Sequence, residues 1–433
     1  MTEVTLINPF ETKKWHLPPL GLLYVASFLE KHGVSVKVID PLSQGNAAYA
    51  SDSDFAGITC MSGQFKKAQE VAKQIKAKNP NTVTVVGGVH PSIAAEEVAA
   101  DPNIDIVVVG EGEKALLEIV EKKIKKGIVY GEPPQELDEI PIPARHLVNM
   151  DWYLKRGGIV FPYWLRATSV ITSRGCPHTC HFCINSKRAV FGKKIRYHTA
   201  ERVKNEVEQL ASQYRAEGIF FVDDNFAQNK KRLLEICRGI KQFDLKWTCL
   251  SRVDTLDREA LVAMKDSGCS TVGFGVESGS QKVLDCLNKK AKVEQTVKVF
   301  DLCHEVGVKT WANIIVGSPE EKKEDIELTD KLLQRIRPDY LEIFYMTPYM
   351  GTLLYDQAKE QGWLMSKTTN WLNSDPQMAI NFTLKELTEI RKQLLRKHYS
   401  RRRLLKPHLE NPYFMFDMVK TLITEPKFFK RSS

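Results

Sequence analysis

Short apolar segments alternate with amphipathic segments along most of this 433-residue chain, and that alternation limits the folds available to it. Short apolar runs bounded by turn residues predict strands, whereas an apolar stripe with helical period predicts a helix. In the first part of the chain, helices are predicted at 18–32 and 64–78, and strands at 4–7, 34–39, 55–59, 82–86 and 104–109. This pattern predicts an α/β fold with a doubly wound, flavodoxin-like parallel sheet, to which we assign residues 1–130.

A proline-rich and acidic segment, 132–143, interrupts the alternation and predicts an extended linker within residues 131–165. The alternation then resumes, with strands predicted at 169–173, 219–222, 246–250, 271–276, 308–316 and 340–346, and helices that include 200–214, 230–241, 257–267 and 321–336. Six strand–helix units predict a (βα)6 partial TIM barrel over residues 166–355, with its active groups at the carboxyl ends of the strands. Residues 356–433 are predicted to form a helical, basic C-terminal region.

Composition narrows the class of protein. Apolar residues make up 43% of the chain, enough to build a sizeable interior, but no apolar run reaches the roughly 18–20 residues that span a bilayer. The segment 1–8 has no basic stretch followed by an apolar one, so we expect no secretory signal and a reducing, cytoplasmic location. In that compartment the nine cysteines are not expected to form disulfides, and three of them that lie close together suggest a metal site.

The formal net charge of +9 is unevenly distributed, since cations concentrate in 391–406 and include Arg401, Arg402 and Arg403. Leucines interleave with these cations, and phenylalanines follow them. Such a segment can lie on an anionic membrane surface, which gives a possible peripheral membrane location and fits a lipid-like substrate. It can also form a helix that packs on the barrel with a solvated basic face, and we favour this second interpretation.

Glycines follow two predicted strands of the first domain, at Gly87-Gly88 and at Gly110-Glu111-Gly112-Glu113. In doubly wound sheets, ligands bind beyond the carboxyl ends of the strands, where glycine lets the backbone approach them closely. The same glycines can also serve only as tight turns. The sequence leaves both interpretations open.

Three cysteines follow the first barrel strand with the spacing C-x3-C-x2-C: Cys176, Cys180 and Cys183. Thiolates are the ligands of iron–sulfur clusters, and three of them leave one iron of a [4Fe–4S] cubane open to bind and reduce a small molecule. Two alternatives remain: structural zinc, with His178, His181 or His198 as fourth ligand, and three unrelated buried cysteines. The other cysteines are predicted to act as small core residues: Cys60, Cys237, Cys249, Cys269, Cys286 and Cys303.

This cysteine loop, with Phe182 before its last cysteine, resembles the signature of the radical S-adenosylmethionine (SAM) superfamily. Later segments resemble the SAM-binding motifs of that family: 221–226 after the second strand, 251–254 after the third, 273–280 at the fourth and 315–321 at the fifth. The sixth-strand segment 347–352 has Met350 where the family usually has proline. The resemblance implies a [4Fe–4S] cluster on the three cysteines, and SAM contacts from Asp223, Asp224, Arg252, Glu277, Ser278 and Gly317.

Elementary chemistry agrees with these roles. A carboxylate such as Glu277 can accept two hydrogen bonds from a ribose diol, and Arg252 can pair with the methionine carboxylate. Asp223 and Asp224 can accept hydrogen bonds from the ammonium group, or they can instead cap the helix near Lys230. Arg252 can equally form a structural ion pair with Asp254.

The first domain resembles the cobalamin-binding domain that is fused to one radical SAM subgroup, on the segments 18–24, 87–91 and 110–113. Arg145 and His146 continue that subgroup's linker pattern. The resemblance implies cobalamin contacts from Pro19, Gly21, Gly87, Gly88, His90, Gly110 and Glu111. The motif Asp-x-His-x-x-Gly, which supplies a cobalt-ligating histidine elsewhere, is absent, so we expect no cobalt ligand from that motif.

The resemblance implies a class B radical SAM methyltransferase, or an enzyme like the anaerobic magnesium-protoporphyrin cyclase. Our first hypothesis is methylation of an unactivated carbon in a small or lipid-like substrate, with electrons from a donor such as flavodoxin or ferredoxin. A second hypothesis is ring closure or oxidative rearrangement of a tetrapyrrole or related molecule. A third is a non-enzymatic, zinc-stabilised module that binds cobalamin or nucleic acid, although no nucleic-acid motif is found and no nucleic-acid partner is expected.

Overall fold

Two six-stranded parallel sheets, one in each half of the chain, organise the structure. The computed structural model describes residues 3–9, 16–45, 49, 52–156, 160, 165–187, 190–192, 194–365 and 376–398. The two sheets confirm the predicted fold class. No helix among these residues is long and apolar enough to cross a membrane.

The first sheet has the strand order β2-β1-β3-β4-β5-β6, with every neighbouring pair parallel. Its strands are β1 Glu3–Ile7, β2 Ser35–Ile39, β3 Phe55–Thr59, β4 Val83–Gly87, β5 Ile106–Gly110 and β6 Gly127–Gly131. The helices are α1 Leu20–Lys31, α2 Pro41–Gln44, α3 Phe65–Lys78, α4 Val89–Ile93, α5 Ala95–Ala99 and α6 Gly112–Glu121. Strand β6 was not predicted, because this partly exposed edge strand begins and ends with glycine and so lacks a clear apolar run.

The second sheet has the order β14-β13-β12-β11-β10-β7, again parallel throughout, and its two edge strands leave the barrel open. Its strands are β7 Ala167–Val170, β10 Gly218–Phe221, β11 Lys246–Ser251, β12 Cys269–Glu277, β13 Lys309–Val316 and β14 Tyr340–Tyr345. A separate antiparallel pair joins β8 Ser173–Arg174 to β9 Arg196–Tyr197. The helices are α7 Met150–Arg156, α8 Ala200–Ser212, α9 Lys230–Ile240, α10 Arg258–Asp266, α11 Gln281–Cys286, α12 Val293–Val306, α13 Lys323–Ile336, α14 Leu353–Glu360 and α15 Leu384–His398.

The first barrel strand ends earlier than predicted, at Val170 rather than Ser173. The buried carboxylate of Asp223 accepts hydrogen bonds from the backbone nitrogen of Thr172, at 3.1 Å, and from the hydroxyls of Thr172 and Ser173. These side-chain contacts replace the ladder at the carboxyl end of β7. The chain is thereby turned toward the cysteine loop.

The segment that joins the two sheets is docked against the barrel through buried charges. Arg145 is only 1% exposed, and its guanidinium donates to the Glu206 carboxylate at 2.6 Å and to the Ser169 carbonyl at 3.0 Å. Asp138, within the predicted extended linker, lies 2.7 Å from Nδ1 of His198. The linker therefore forms part of the contact between the domains.

The two domains also meet through a buried ionic network, which we define as Glu111, Glu113, Arg174 and Arg196. Arg174 donates to Glu111 and to Glu113 at 2.6 Å each, and Arg196 donates to both oxygens of Glu111. All four side chains are between 4% and 7% exposed. Because the two carboxylates balance the two guanidinium groups, the network is neutral and each buried charge has a partner.

Helix α15 packs on the barrel at β13 and β14. Leu387 and Leu394 are buried in the main core, Arg391 donates to the Ile343 carbonyl at 2.7 Å, and His398 lies 2.8 Å from Asp330. The beginning of the basic segment, up to His398, therefore lies against the barrel. Residues 399–433, which include the arginine run and the aromatic tail, lie outside the described residues, and membrane contact stays a prediction.

We predict that Glu111→Gln lowers the free energy of unfolding of the ligand-free protein by about 3–5 kcal/mol, because it leaves Arg196 buried without its carboxylate. Chemical denaturation followed by circular dichroism measures this. The matched control is Glu118→Gln, whose exposed pair with Lys122 is screened by solvent, so its loss should leave the stability almost unchanged. Equal, small effects of both substitutions would show that the network does not stabilise the domain contact.

Candidate active site

A cavity of about 450 Å³ lies between the carboxyl ends of the two sheets. The first domain lines it with side chains from β1, α1 and α6 and with the turns after β3, β4 and β5. The second domain closes it with Ile171, Ser173, Arg174, Val190, Phe191, Val222 and Asp224. The cavity is mostly apolar, so it suits a ligand held largely by van der Waals contact.

Glycines open this cavity on the side of the first domain. Five of the seven residues expected to contact cobalamin line it: Gly21, Gly87, Gly88, Gly110 and Glu111. At Gly21, a Cβ atom would meet no atom within 4 Å, so the space above this position is empty. Gly88 has a φ of +116° and lies close to the Cys60 backbone, so only glycine suits this turn. Pro19 and His90 do not line the cavity.

His90 is buried instead against Phe65, with ring centroids 4.6 Å apart, and its Nδ1 lies 3.2 Å from the Ser62 hydroxyl. Burial lowers the pKa of His90, so the ring is neutral near pH 7. Its Nε2 atom has no hydrogen-bond partner among the described residues. The geometry therefore agrees more closely with a structural histidine in the turn than with a residue on the cavity wall.

The cysteine loop begins directly after Arg174 of the buried ionic network. Gly175 turns the chain with a φ of +93°, and the Cys183 nitrogen donates to the Cys180 carbonyl at 3.0 Å. The loop is also held at His181, whose nitrogen donates to the Leu287 carbonyl at 3.0 Å. The loop is thus attached to the barrel at several points.

The three cysteines lie on this one loop, with Cys180 buried and the others partly buried. Burial raises the pKa of each thiol, that of Cys183 to about 12. In the described ranges, no three His, Cys, Asp or Glu side chains are arranged around the position of one metal ion. A donor set of three thiols with one open position fits a cubane, whose ligands bind three separate irons.

Asp223 and Asp224 are neighbours in sequence but have different environments. Asp223 is 1% exposed and bonded to Thr172 and Ser173, whereas Asp224 lines the cavity and accepts from Asn185 Nδ2 at 2.9 Å. Burial raises the pKa of both carboxyls. The alternative that they cap helix α9 is wrong, because Asn229 is the capping residue and accepts from the Arg232 nitrogen.

Arg252 forms the expected ion pair with Asp254, through two hydrogen bonds of 2.9 and 2.8 Å. It also reaches the cysteine loop, since its Nη1 atom lies 3.9 Å from Cys180 Sγ. Its Nη2 atom donates to the Lys289 carbonyl at 2.8 Å. One guanidinium therefore connects the third strand, the cysteine loop and the segment after α11.

Glu277 is buried at the end of β12 with a φ of +64°, and its carboxylate is 2.5 Å from Lys289 Nζ. Lys289 was not predicted, because nothing in a lysine on a turn marks it as buried. Ser278 is buried too, and its hydroxyl lies 3.3 Å from Thr329 Oγ1. Lys289 thus keeps the charge of Glu277 balanced when no ligand is present.

Gly317 ends β13 with a φ of +90°, and its nitrogen donates to Glu321 Oε2 at 2.6 Å. Burial raises the pKa of Glu321 to about 7, against the effect of this hydrogen bond. Glu321 was not predicted as a site residue, although it ends the segment 315–321 that resembles a SAM-binding motif. The structure brings Cys180, Arg252 and Glu277 to one side of the barrel, and Gly317 marks the next strand.

Comparison with known proteins agrees with this arrangement. Residues 170–333 match the family model of the radical SAM superfamily, and residues 13–120 match that of the B12 binding domain. An uncharacterised methyltransferase of Pyrococcus horikoshii is 37% identical over 88% of this chain and 87% of its own length. Cytidylyl-2-hydroxyethylphosphonate methyltransferase of Streptomyces wedmorensis is 27% identical over 84% of this chain and 82% of its own length. The anaerobic magnesium-protoporphyrin IX monomethyl ester cyclase of Rubrivivax gelatinosus is 27% identical over 79% of this chain and 67% of its own length.

Solved structures share the fold. The cobalamin-dependent SAM radical enzyme OxsB, with aqua-cobalamin and SAM bound, superposes with a TM-score of 0.73 at 19% identity, over 98% of this chain and 73% of its own. The methyltransferase TsrM from Kitasatospora setae, with cobalamin and a [4Fe-4S] cluster bound, superposes with a TM-score of 0.69 at 19% sequence identity. The match covers 85% of this chain and 80% of its own. The two domain matches and the relative from Pyrococcus lead to one conclusion. This chain belongs to the family of cobalamin-binding radical SAM enzymes that contains methyltransferases and, in a related branch, cyclases.

Proposed function

We propose that this protein uses SAM and cobalamin to methylate an unactivated carbon atom of a small molecule. The single observation that carries the proposal is the shared cavity, whose walls include Gly110 and Glu111 from the B12-binding domain and Asp224 from the radical SAM domain. When bound, the cluster and SAM supply a hydrogen-abstracting radical and cobalamin supplies a methyl group. One cavity lets both act on the same carbon.

In this proposal Cys176, Cys180 and Cys183 hold the cluster, and residues around them hold SAM. Arg252 is 5% exposed and lies beside Cys180, so its positive charge can attract the SAM carboxylate at the open iron. Asp224 lies on the cavity wall, where it can accept a hydrogen bond from an ammonium group. The mostly apolar wall excludes water from the reacting atoms.

Glu277 is the proposed ribose-binding residue, and Lys289 is its partner in the ligand-free protein. A ribose diol would donate to the carboxylate oxygens while Lys289 keeps the negative charge compensated. Ser278 and Gly317 support the backbone on either side of this position. Their hydrogen bonds run to Thr329 and Glu321, so we propose a positioning role for both.

The reaction requires an external source of electrons, and we propose a one-electron carrier such as flavodoxin or ferredoxin. A second candidate function is radical ring closure or oxidative rearrangement, which is supported by the similarity to the Rubrivivax cyclase. Both functions need the same SAM site. The fate of the substrate radical distinguishes them.

We predict that anaerobic turnover yields 5′-deoxyadenosine and S-adenosylhomocysteine in equal amounts, because one SAM gives the radical and another gives the methyl group. Liquid chromatography with mass spectrometry measures both, together with a product heavier by one CH2. Turnover that gives 5′-deoxyadenosine without S-adenosylhomocysteine, and a product that has lost hydrogen or gained oxygen, would instead establish the second candidate.

Replacing any one of the three loop cysteines is expected to abolish the cluster. For Cys176→Ala, Cys180→Ala and Cys183→Ala, we predict loss of most iron and sulfide and of SAM cleavage, since a cubane needs all three thiolates. Metal analysis and absorption spectra after anaerobic reconstitution measure this. Cys286→Ala, a partly buried cysteine on α11, should keep the full iron content. Stoichiometric zinc in place of iron would refute the cluster assignment.

A large side chain at Gly21 should block cobalamin binding. We predict that Gly21→Phe weakens binding at least tenfold, about 1.4 kcal/mol, because the ring would project into the empty cavity above α1. Binding is measured by cobalamin absorption after gel filtration. Gly21→Ala is the matched control and should bind normally, and both variants should keep the iron content of the wild type. Normal binding by Gly21→Phe would place cobalamin elsewhere.

A further inference from the structure

Strands β13 and β14 present a second set of side chains to the barrel interior, away from the helices. On β14, Leu341, Ile343 and Tyr345 pack into the main core together with Leu387 of α15. Because successive side chains of a strand point to opposite faces, Glu342 faces the other side of the sheet. In an open barrel surrounded by helices, that side is the interior.

The strand register shows where Glu342 lies relative to the proposed SAM site. Gly275 pairs with Asn313, and Asn313 pairs with Glu342, so the three residues form one row across β12, β13 and β14. A Cβ atom at Gly275 would lie 2.5 Å from Glu277 Oε1 and 2.7 Å from Lys289 Nζ. This row therefore shares a face with the proposed ribose-binding carboxylate. Adjacent strands are about 4.8 Å apart, which places Glu342 about 10 Å from Gly275.

The neighbouring rows on this face are apolar or aromatic. Two residues before Asn313, Trp311 pairs with Tyr340, and two residues after it, Ile315 pairs with Phe344. Ile315 packs in the same hydrophobic cluster as Phe182, the residue before Cys183. Asn313 and Glu342 thus form a polar pair, one row below the contact with the cysteine loop.

The chemistry of this pair defines what it can bind. In the described part of the chain, Glu342 has no hydrogen bond or ion pair, and Asn313 uses its Nδ2 atom to donate to the Phe274 carbonyl at 3.2 Å. A carboxylate and an amide oxygen are therefore available as acceptors. Burial raises the pKa of Glu342, and the positive charge of Arg391 opposes this shift. A partly buried carboxylate is stabilised most by a cation that also donates hydrogen bonds.

We propose that Glu342 and Asn313 bind a protonated amine of the substrate, and that the substrate is an amine-bearing molecule with an apolar or aromatic body. This inference rests on the proposed function, because it has the substrate extend from the shared cavity into the barrel interior, where its amine meets Asn313 and Glu342. The aromatic row that contains Trp311 gives the ammonium group further favourable surroundings. The site residues proposed for SAM remain Asp224, Arg252 and Glu277.

The test measures ligand preference in the holoenzyme, loaded with cluster, cobalamin and SAM. The probes are 2-phenylethylamine and 2-phenylethanol, which have similar shapes but differ in charge. By equilibrium dialysis, we expect the wild type to bind the amine at least tenfold more tightly than the alcohol. Glu342→Gln should abolish the preference, because it keeps the size of the side chain and removes its charge. Glu342→Asp should retain part of it.

The matched control is Glu294→Gln, an exposed carboxylate on α12, which should keep the full preference for the amine. Equal affinity for the two probes in the wild type, or an unchanged preference in Glu342→Gln, would overturn the proposal. A third result would also overturn the proposal. If Glu342→Gln bound SAM tenfold more weakly and kept its preference for the amine, Glu342 would belong to the SAM site.

A separate measurement, the formation of 5′-deoxyadenosine from SAM, tests the proposed function. With dithionite as reductant, wild-type holoenzyme and the control Glu294→Gln should both form 5′-deoxyadenosine from SAM, since Glu294 is exposed on α12 and is not among the proposed site residues. Absence of this product in the wild type counts against the proposed function. The amine preference needs no turnover, so its outcome is independent of that result.

Discussion

Four charged side chains buried between the two sheets determine how the domains are arranged. Glu111 follows the last buried strand of the first sheet, and Arg174 directly precedes the cysteine loop. Separating them would leave unpaired charges in the interior, at a cost of about 3–5 kcal/mol. The wall of the cavity and the cysteine loop are therefore held in one orientation. Two cofactors that act on the same carbon need such a fixed arrangement, since small displacements of reacting groups cost large factors in rate.

Much of the fold could be predicted because parallel strands flanked by helices are buried on both faces and read as apolar runs. Strand β3, at Phe55–Thr59, was predicted to the residue for this reason. The edge strand β6 was missed because its glycines and exposed Tyr130 break that pattern. The loop with Cys176 was recognisable because its ligands are close in sequence. Lys289 was not, since its role depends on a contact with Glu277 that only the folded chain creates.

The pair Asp223 and Asp224, just after the end of β10, shows that identical neighbouring residues can have different surroundings. Asp223 lies against the backbone of Thr172, where the first barrel strand ends, whereas Asp224 lies on the cavity wall. The sequence places both at the carboxyl end of a strand but cannot say which one faces the ligand. Within β14, the alternation of side chains separates Glu342 from the core residues on either side of it. Assignment of such residues therefore depends on the register of the neighbouring strands.

The contact of α15 with Gly317 has a consequence for how the C-terminal helix can act on the barrel. A Cβ atom at Gly317 would lie 3.2 Å from Leu387, so the C-terminal helix rests directly on the backbone of the fifth barrel strand. The helix is joined to the barrel by a long connection and carries no residue proposed for the reaction. Because Gly317 supports one side of the proposed ribose site, a larger side chain at Leu387 would press on that glycine and alter the site from outside the barrel. The C-terminal helix can therefore influence SAM binding although it holds none of the proposed ligands.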